Sequence, residues 1–278
     1  MIYLLDFRAS DVGGAVVPGR IVNLPGLGTE ADLRAETSLA FLIHGFNVNR
    51  PSGIDTLRRL ATQLPAGSAM GYVGVLWPGD HWTRAISYSF EGRDADDSAR
   101  ELTKYIGMVI PHGTQLSFVS HSLGARVVME AIKTLNRSRY PIRQVSLVAA
   151  AIDDFSLARP RDYSAAVAKA DRVAVLASRK DRVLKIAYPA GDALQAFIFF
   201  RRDSIGLALG SHGPRPSESD PVPALVYHEQ IPDGRESDHE HYFPGDPARQ
   251  RAEVTRNQAS AVRFCADTLL GALQPKYV

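Results

Sequence analysis

The chain has 278 residues, 45% of them hydrophobic, which is enough for a sizeable core in one large α/β domain or two small ones. Its net charge of +2 comes from 32 basic and 30 acidic residues spread along the chain, with no dense basic block of the kind that tracks phosphates, so nucleic acid is not an expected partner. No stretch is apolar for long enough to span a bilayer, and Met1 to Arg8 lacks a basic n-region and has too short an apolar run for a signal peptide; a cytoplasmic location is expected. Apolar runs at 2–7, 39–43, 71–77, 115–119, 143–150, 172–177 and 224–228 predict strands. Amphipathic stretches predict helices over about 53–64, 94–110, 123–136, 161–170 and 248–272. This alternation predicts a mostly parallel sheet with helices on both faces, and segments 1–8 and 20–24 an antiparallel edge. No break in composition marks a domain boundary, so one domain over 1–278 is expected, with an irregular excursion from the sheet at about 202–223, where Gly, Ser and Pro are concentrated. The single cysteine, Cys265, cannot form an intrachain disulfide. It shares a helical apolar stripe with Val254, Ala261, Val262, Leu269 and Leu273, which assigns it to the core rather than to catalysis.

The segment Gln115 to Gly124 runs an apolar strand into Ser120-His121-Ser122-Leu123-Gly124, where a helical pattern of Val127, Val128, Ala131, Ile132 and Leu135 begins. A sharp strand-to-helix turn lifts its central side chain into the open, and it tolerates only small residues two before and two after, because the two backbones pass close together. Ser120 and Gly124 meet that condition, although Ser120 stands where Gly is usual. Ser122 is therefore nominated as a nucleophile, and Ser120, still on the strand, is the weaker candidate. A serine hydroxyl needs a base, a residue that orients the base and an oxyanion hole. In a parallel sheet ligands bind at the carboxyl ends of the strands, which directs attention to His44-Gly45-Phe46-Asn47, Ser178-Arg179-Lys180-Asp181 and Asp238-His239-Glu240-His241-Tyr242.

Five motifs in this order, His44 to Asn47, Trp77-Pro78, Ser120 to Gly124, Ser178 to Arg182 and His239 to Tyr242, resemble the α/β-hydrolase superfamily over about residues 39 to 272. Within it the chain looks most like uncharacterised bacterial serine-hydrolase families that carry the same His-Gly-Phe-Asn and Ser-His-Ser-Leu-Gly motifs. The resemblance implies an α/β-hydrolase fold with a small cap. It also implies a triad of Ser122 as nucleophile, His239 as base and Asp181 as the acid that fixes the imidazole, with the Phe46 and Leu123 N–H groups as oxyanion donors. Asp153 and Asp154 compete for the acid role because they follow the strand 143–150; their other reading is a turn or a helix N-cap before 155–158. His241 competes with His239, since only one of the two can face Ser122 from an extended segment. His44 is expected to pack and orient the oxyanion turn.

Trp82, Tyr88, Phe155, Tyr188 and Phe243 are candidates to line an apolar acyl or alcohol pocket, and packing of loops on the core is the alternative for each. The short connection at about 151–171 makes only a small cap, which favours a small-molecule ester substrate of short to medium acyl length. A thioesterase, an amidase or an acyltransferase would use the same triad, and a hydrolase-fold protein that only binds a ligand is the alternative outside the enzymes. No metal and no cofactor are expected: Asp238-His239-Glu240-His241 has no matching second half, and Gly26-Leu27-Gly28 is too short for a dinucleotide loop.

Overall fold

The computed structural model describes residues 1–65, 70–79, 88–185, 207–216, 221–232, 239, 242–245 and 252–272, and side chains at 88–92 and 252–259 are outside that description. In chain order the elements are β1 (Ile2–Arg8), β2 (Val16–Ile21), α1 (Glu30–Ala35), β3 (Ser38–Ile43), α2 (Arg50–Gln63), β4 (Gly71–Leu76), α3 (Tyr88–Val109), β5 (Gln115–His121), α4 (Gly124–Thr134), β6 (Ile142–Val148), α5 (Ser164–Val167), β7 (Val173–Ala177), α6 (Leu209–His212), β8 (Val226–Gln230) and α7 (Ala252–Leu269). Eight strands form one sheet in the order β2-β1-β4-β3-β5-β6-β7-β8. Every pairing is parallel except β1 with β2. This is the α/β-hydrolase fold.

β3, β4 and β7 read as apolar runs because both of their faces are covered. β3 (SLAFLI) and β4 (GYVGVL) bury nearly every side chain. Alternate residues then go to opposite layers. Phe41 and Ile43 join Phe118, Val127, Val128 and Ile132 on one face, while Ala40 and Leu42 join Leu57, Leu60, Phe264 and Cys265 on the other. The helices divide accordingly, with α4 on the first face and α2 and α7 on the second. Cys265 is buried in that second layer, and burial pushes its thiol up to about 12, so at neutral pH it is a protonated core residue.

Local chemistry sets the helix starts. Asn49 caps α2 by accepting the Ser52 N–H, and Pro51 sits in the first turn, where a missing N–H costs nothing. Thr29 and Asp32 form a capping box for α1, a helix of six residues with one buried side chain, Leu33. Arg126 of α4 makes a forked pair with Asp96 of α3, both contacts at 2.8 Å.

Three expectations need correction. The edge strand runs over Val16–Ile21 rather than 20–24; Pro18 and Gly19 hide it in the sequence, and an edge strand tolerates both. The helix expected at 161–170 shrinks to α5, because the chain on either side tightens into three-residue turns such as Arg161 N–H to Ala158 O and Ala170 N–H to Val167 O. Residues 155–158 form turns, the first of the two readings given above for Asp153 and Asp154, and no helix. The β6–β7 connection carries only α5, a small cap. Within the stretch expected to be irregular, α6 sits against the sheet, and a Cβ added to Gly210 would lie 2.1 Å from the Ala149 carbonyl carbon. Among the described residues no helix is long and apolar enough to cross a membrane.

Candidate active site

β5 carries the chain to His121, and Ser122 then takes φ 53, a left-handed conformation that is unfavourable for a residue with a Cβ. The turn is held from both neighbours: the Ser122 N–H donates to Val148 O at 3.0 Å, and the Ser122 carbonyl accepts from Ala125 and Ala151 N–H at 3.1 Å. The small residue at 124 has a direct steric cause, since a Cβ there would lie 2.5 Å from the His44 carbonyl oxygen. Gly45 is equally confined, its absent Cβ lying 2.9 Å from Ser122 Cβ and 2.8 Å from His121 Nδ1. The elbow and the turn after β3 are thus pressed together by two glycines.

Beyond β7, Ser178 N–H donates to Gly210 O and Asp181 N–H to Ser178 O, a turn that points Asp181 inward with no exposure. Asp181 Oδ1 accepts the Leu184 N–H at 3.0 Å. Its Oδ2 faces His239 Nδ1 at 2.8 Å and accepts the Tyr242 hydroxyl at 3.3 Å. His239 Nε2 lies 2.7 Å from Ser122 Oγ. With Nδ1–H donated to the carboxylate, Nε2 is free to accept the serine hydroxyl. All three side chains are buried. An imidazole placed this way can take the hydroxyl proton as the oxygen attacks an electrophile, and the carboxylate fixes the tautomer and favours the cation that forms.

The structure brings Ser122, His239 and Asp181 into one hydrogen-bonded chain. Ser120 is on the strand and buried, its Oγ without a partner among the described residues. Asp154 is also buried, but it pairs with Arg215 at 3.2 Å, and burial pushes its carboxyl upward. Phe46 and Leu123 follow the two pressed turns, and neither N–H has a hydrogen-bond partner among the described residues. Phe243 is buried with its ring 5.4 Å from that of His121. Phe155 lies under Arg161 and Arg215, 5.3 and 5.5 Å from its ring centre. Trp82, Tyr188 and His241 lie outside the described residues, and the side chain of Tyr88, the first residue of α3, lies outside them too.

His44 anchors the turn after β3. Its Nε2 accepts the Trp77 N–H at 3.3 Å, so Nδ1 carries the proton and donates to Gly45 O at 2.8 Å. The Trp77 indole N–H donates to His44 O at 2.9 Å, and the two rings stack at 5.7 Å. A second support, unforeseen from sequence, is the fully buried Arg8 at the end of β1. Its guanidinium donates to the carbonyls of Val48 and Trp77 at 3.0 and 2.9 Å and to those of Ser10 and Asp11 at 3.2 Å. One cation therefore ties the end of the N-terminal strand to the segments that follow β3 and β4. Tyr242, the last residue of the His-x-x-Tyr motif, holds Asp181 through its hydroxyl.

His121 is the other residue whose part was not legible. It occupies the variable place before the serine, yet its ring lies 5.0 Å from that of His239 and 5.6 Å from that of Tyr242. Burial pushes its pKa well down, helped by the neighbouring His239, so the ring stays neutral. The unfolded chain, with an ordinary histidine, takes up a proton as pH falls through 6.5, whereas the folded chain does not. Stability is therefore lost on acidification below that point. His121→Phe should make the loss between pH 6.5 and 5 shallower, by up to about 1.4 kcal/mol per pH unit. Urea unfolding midpoints of both proteins at the two pH values check this, and parallel pH dependence would refute it.

Residues 27–194 match the family described as "Alpha/beta hydrolase of unknown function (DUF900)", a span that holds the turn after β3, the elbow and Asp181. No curated protein matches the sequence. Among solved structures the chain is similar to a metagenomic carboxyl esterase, at 14% identity over 96% of this chain and 86% of that one with a TM-score of 0.44. It is also similar to the hyperthermophilic esterase of the archaeon Pyrobaculum calidifontis, at 12% identity over 86% and 78% of the two chains with a TM-score of 0.42. Esterase B of Lactobacillus rhamnosis is similar at 12% identity over 85% and 78%, with a TM-score of 0.38. Such low scores say nothing of this chain's substrate. The family match spans more than half of the sequence, and the chain belongs to this family of α/β hydrolases.

Proposed function

We propose that the protein is a serine hydrolase that cleaves carboxylic esters through an acyl-enzyme on Ser122. The observation that carries this reading is the unbroken line from Ser122 Oγ to His239 Nε2 at 2.7 Å and from His239 Nδ1 to Asp181 at 2.8 Å. Ser122 Oγ attacks the ester carbonyl carbon while His239 takes the hydroxyl proton. The carbonyl oxygen becomes an oxyanion that accepts from the Phe46 and Leu123 N–H groups. The C–O bond to the alcohol then breaks, and His239 returns the proton to the departing oxygen. Water, deprotonated by the same imidazole, attacks the acyl-enzyme; the acid leaves and Ser122 regains its proton.

The small cap between β6 and β7 supports short to medium acyl chains, as it provides no large lid for a long one. Phe155, Phe243, Trp82, Tyr88 and Tyr188 remain the candidates for lining the acyl or alcohol side. The test is a series of p-nitrophenyl esters from acetate through butyrate and octanoate to palmitate. Turnover is expected to be greatest among the shorter members and to fall steeply at palmitate. Preference for palmitate would overturn the chain-length reading, and failure to cleave any member would overturn the esterase reading.

A further inference from the structure

β5, β6 and β7 run parallel, so the segments after β6 and β7 open on the same side as Ser122. α6 is fastened there. Ser178 N–H donates to Gly210 O and Gly210 N–H to Ala150 O, both at 2.9 Å, and the next residue, Ala151, donates to Ser122 O. Two hydrogen bonds and one peptide step therefore connect the elbow to α6. Arg215, just beyond α6, is held in place: its N–H donates to Asp154 O at 2.8 Å, its guanidinium pairs with the buried Asp154 at 3.2 Å, and it lies over the Phe155 ring.

The turn after β7 supplies Arg179, Lys180, Arg182 and Lys185, all exposed, and none of them pairs with a carboxylate among the described residues. Two of them, Arg179 and Lys185, lie near the end of α6, as Arg215 does. His212 at its end is exposed, and its proton affinity is lowered by burial and then by Lys185, Arg179 and Arg215, with Asp154 opposing them. Among the described residues Asp154 is engaged with Arg215 and Asp181 with His239. In a chain whose charges sum to only +2, three cations, Arg179, Lys185 and Arg215, gather about His212 at the end of α6. Such a cluster favours a bound anion by direct pairing and by its summed field.

We infer that the ester cleaved at Ser122 carries an anionic group, a carboxylate or a phosphate, a few carbon atoms from the scissile carbonyl, and that Arg179, Lys185 and Arg215 hold it. This rests on the esterase reading above. Arg215 is the fixed member of the site, and Arg179 and Lys185 close on the anion from the β7 turn. Exposed ion pairs are individually weak and are screened by salt, so discrimination comes from several acting together.

The test pairs esters of equal acyl length, p-nitrophenyl valerate against mono-p-nitrophenyl glutarate and the octanoate against the suberate, with p-nitrophenyl 4-phosphonobutyrate as the phosphate arm. For at least one pair the anionic member should show kcat/KM higher by roughly tenfold, mainly through KM, and the advantage should shrink as salt rises. In Arg179→Gln, Lys185→Gln, Arg215→Gln combined, the ratio of anionic to neutral kcat/KM should fall to near one. Whichever of the glutarate, suberate or phosphonobutyrate gains most identifies the anion. Cleavage of the neutral esters with no anionic preference, or with a preference the triple variant keeps, overturns the inference and leaves the esterase reading standing. Calorimetry with the Ser122→Ala protein decides the matter without turnover: monoethyl glutarate should bind more tightly than ethyl valerate, and equal or absent binding overturns the inference.

Discussion

Ser122→Ala should lower kcat for a short p-nitrophenyl ester by roughly five orders of magnitude, leaving a residue of activity from the oxyanion donors and substrate binding. The hydroxyl is the only atom removed, and its loss deletes the covalent step. The elbow itself should persist, because alanine meets the same φ 53 strain that serine already bears, and Gly124 and Gly45 keep the close approach. An unchanged thermal unfolding midpoint beside the lost turnover checks both halves. Retained turnover would show that another group does the chemistry, and the buried Ser120 would be examined next.

His239→Ala should cost nearly as much as Ser122→Ala, since a serine without its base and a base without its serine are equally idle, whereas His241→Ala should change kcat less than about tenfold. The contrast follows from geometry: His239 bridges Ser122 and Asp181, with both contacts under 3 Å. Asp181→Asn belongs to the same series and should cost about 10⁴ in kcat, because an amide at this place can stabilise the wrong imidazole tautomer. Asp154→Asn should leave kcat for a neutral ester near that of the wild type, as its carboxyl faces Arg215 and not His239. Steady-state kinetics on the four variants separate these outcomes. Equal losses at His239 and His241, or a greater loss at Asp154 than at Asp181, would move the base or the acid.

β3, β4 and β7 were legible because they are buried on both faces and need unbroken apolar runs. β2 was misplaced because, at an edge, its Pro18 and Gly19 read as a loop. α6 was hidden for a different reason: four residues, Leu-Gly-Ser-His, carry no period, and their fit depends on Gly210 pressing on the Ala149-Ala150 backbone. Ser122 could be nominated from local spacing alone, since the steric rule for the turn acts within five residues. The contact of His239 with Asp181 spans 58 positions and that with Ser122 spans 117, so the choice of each partner rested on family resemblance. Arg8 and His121 gave no signal of their own. Arg8 acts through backbone carbonyls that no side-chain pattern reports, and His121 fills the position that the elbow motif leaves unspecified.

The central claim, that Ser122 is an activated nucleophile, is tested most directly by mapping the adduct of a fluorophosphonate probe on the wild-type protein by peptide mass spectrometry. The proposed triad predicts a single adduct on the peptide containing Ser122, lost in Ser122→Ala and greatly slowed in His239→Ala. An adduct on another residue, or no adduct at concentrations that label a known serine esterase, would contradict it.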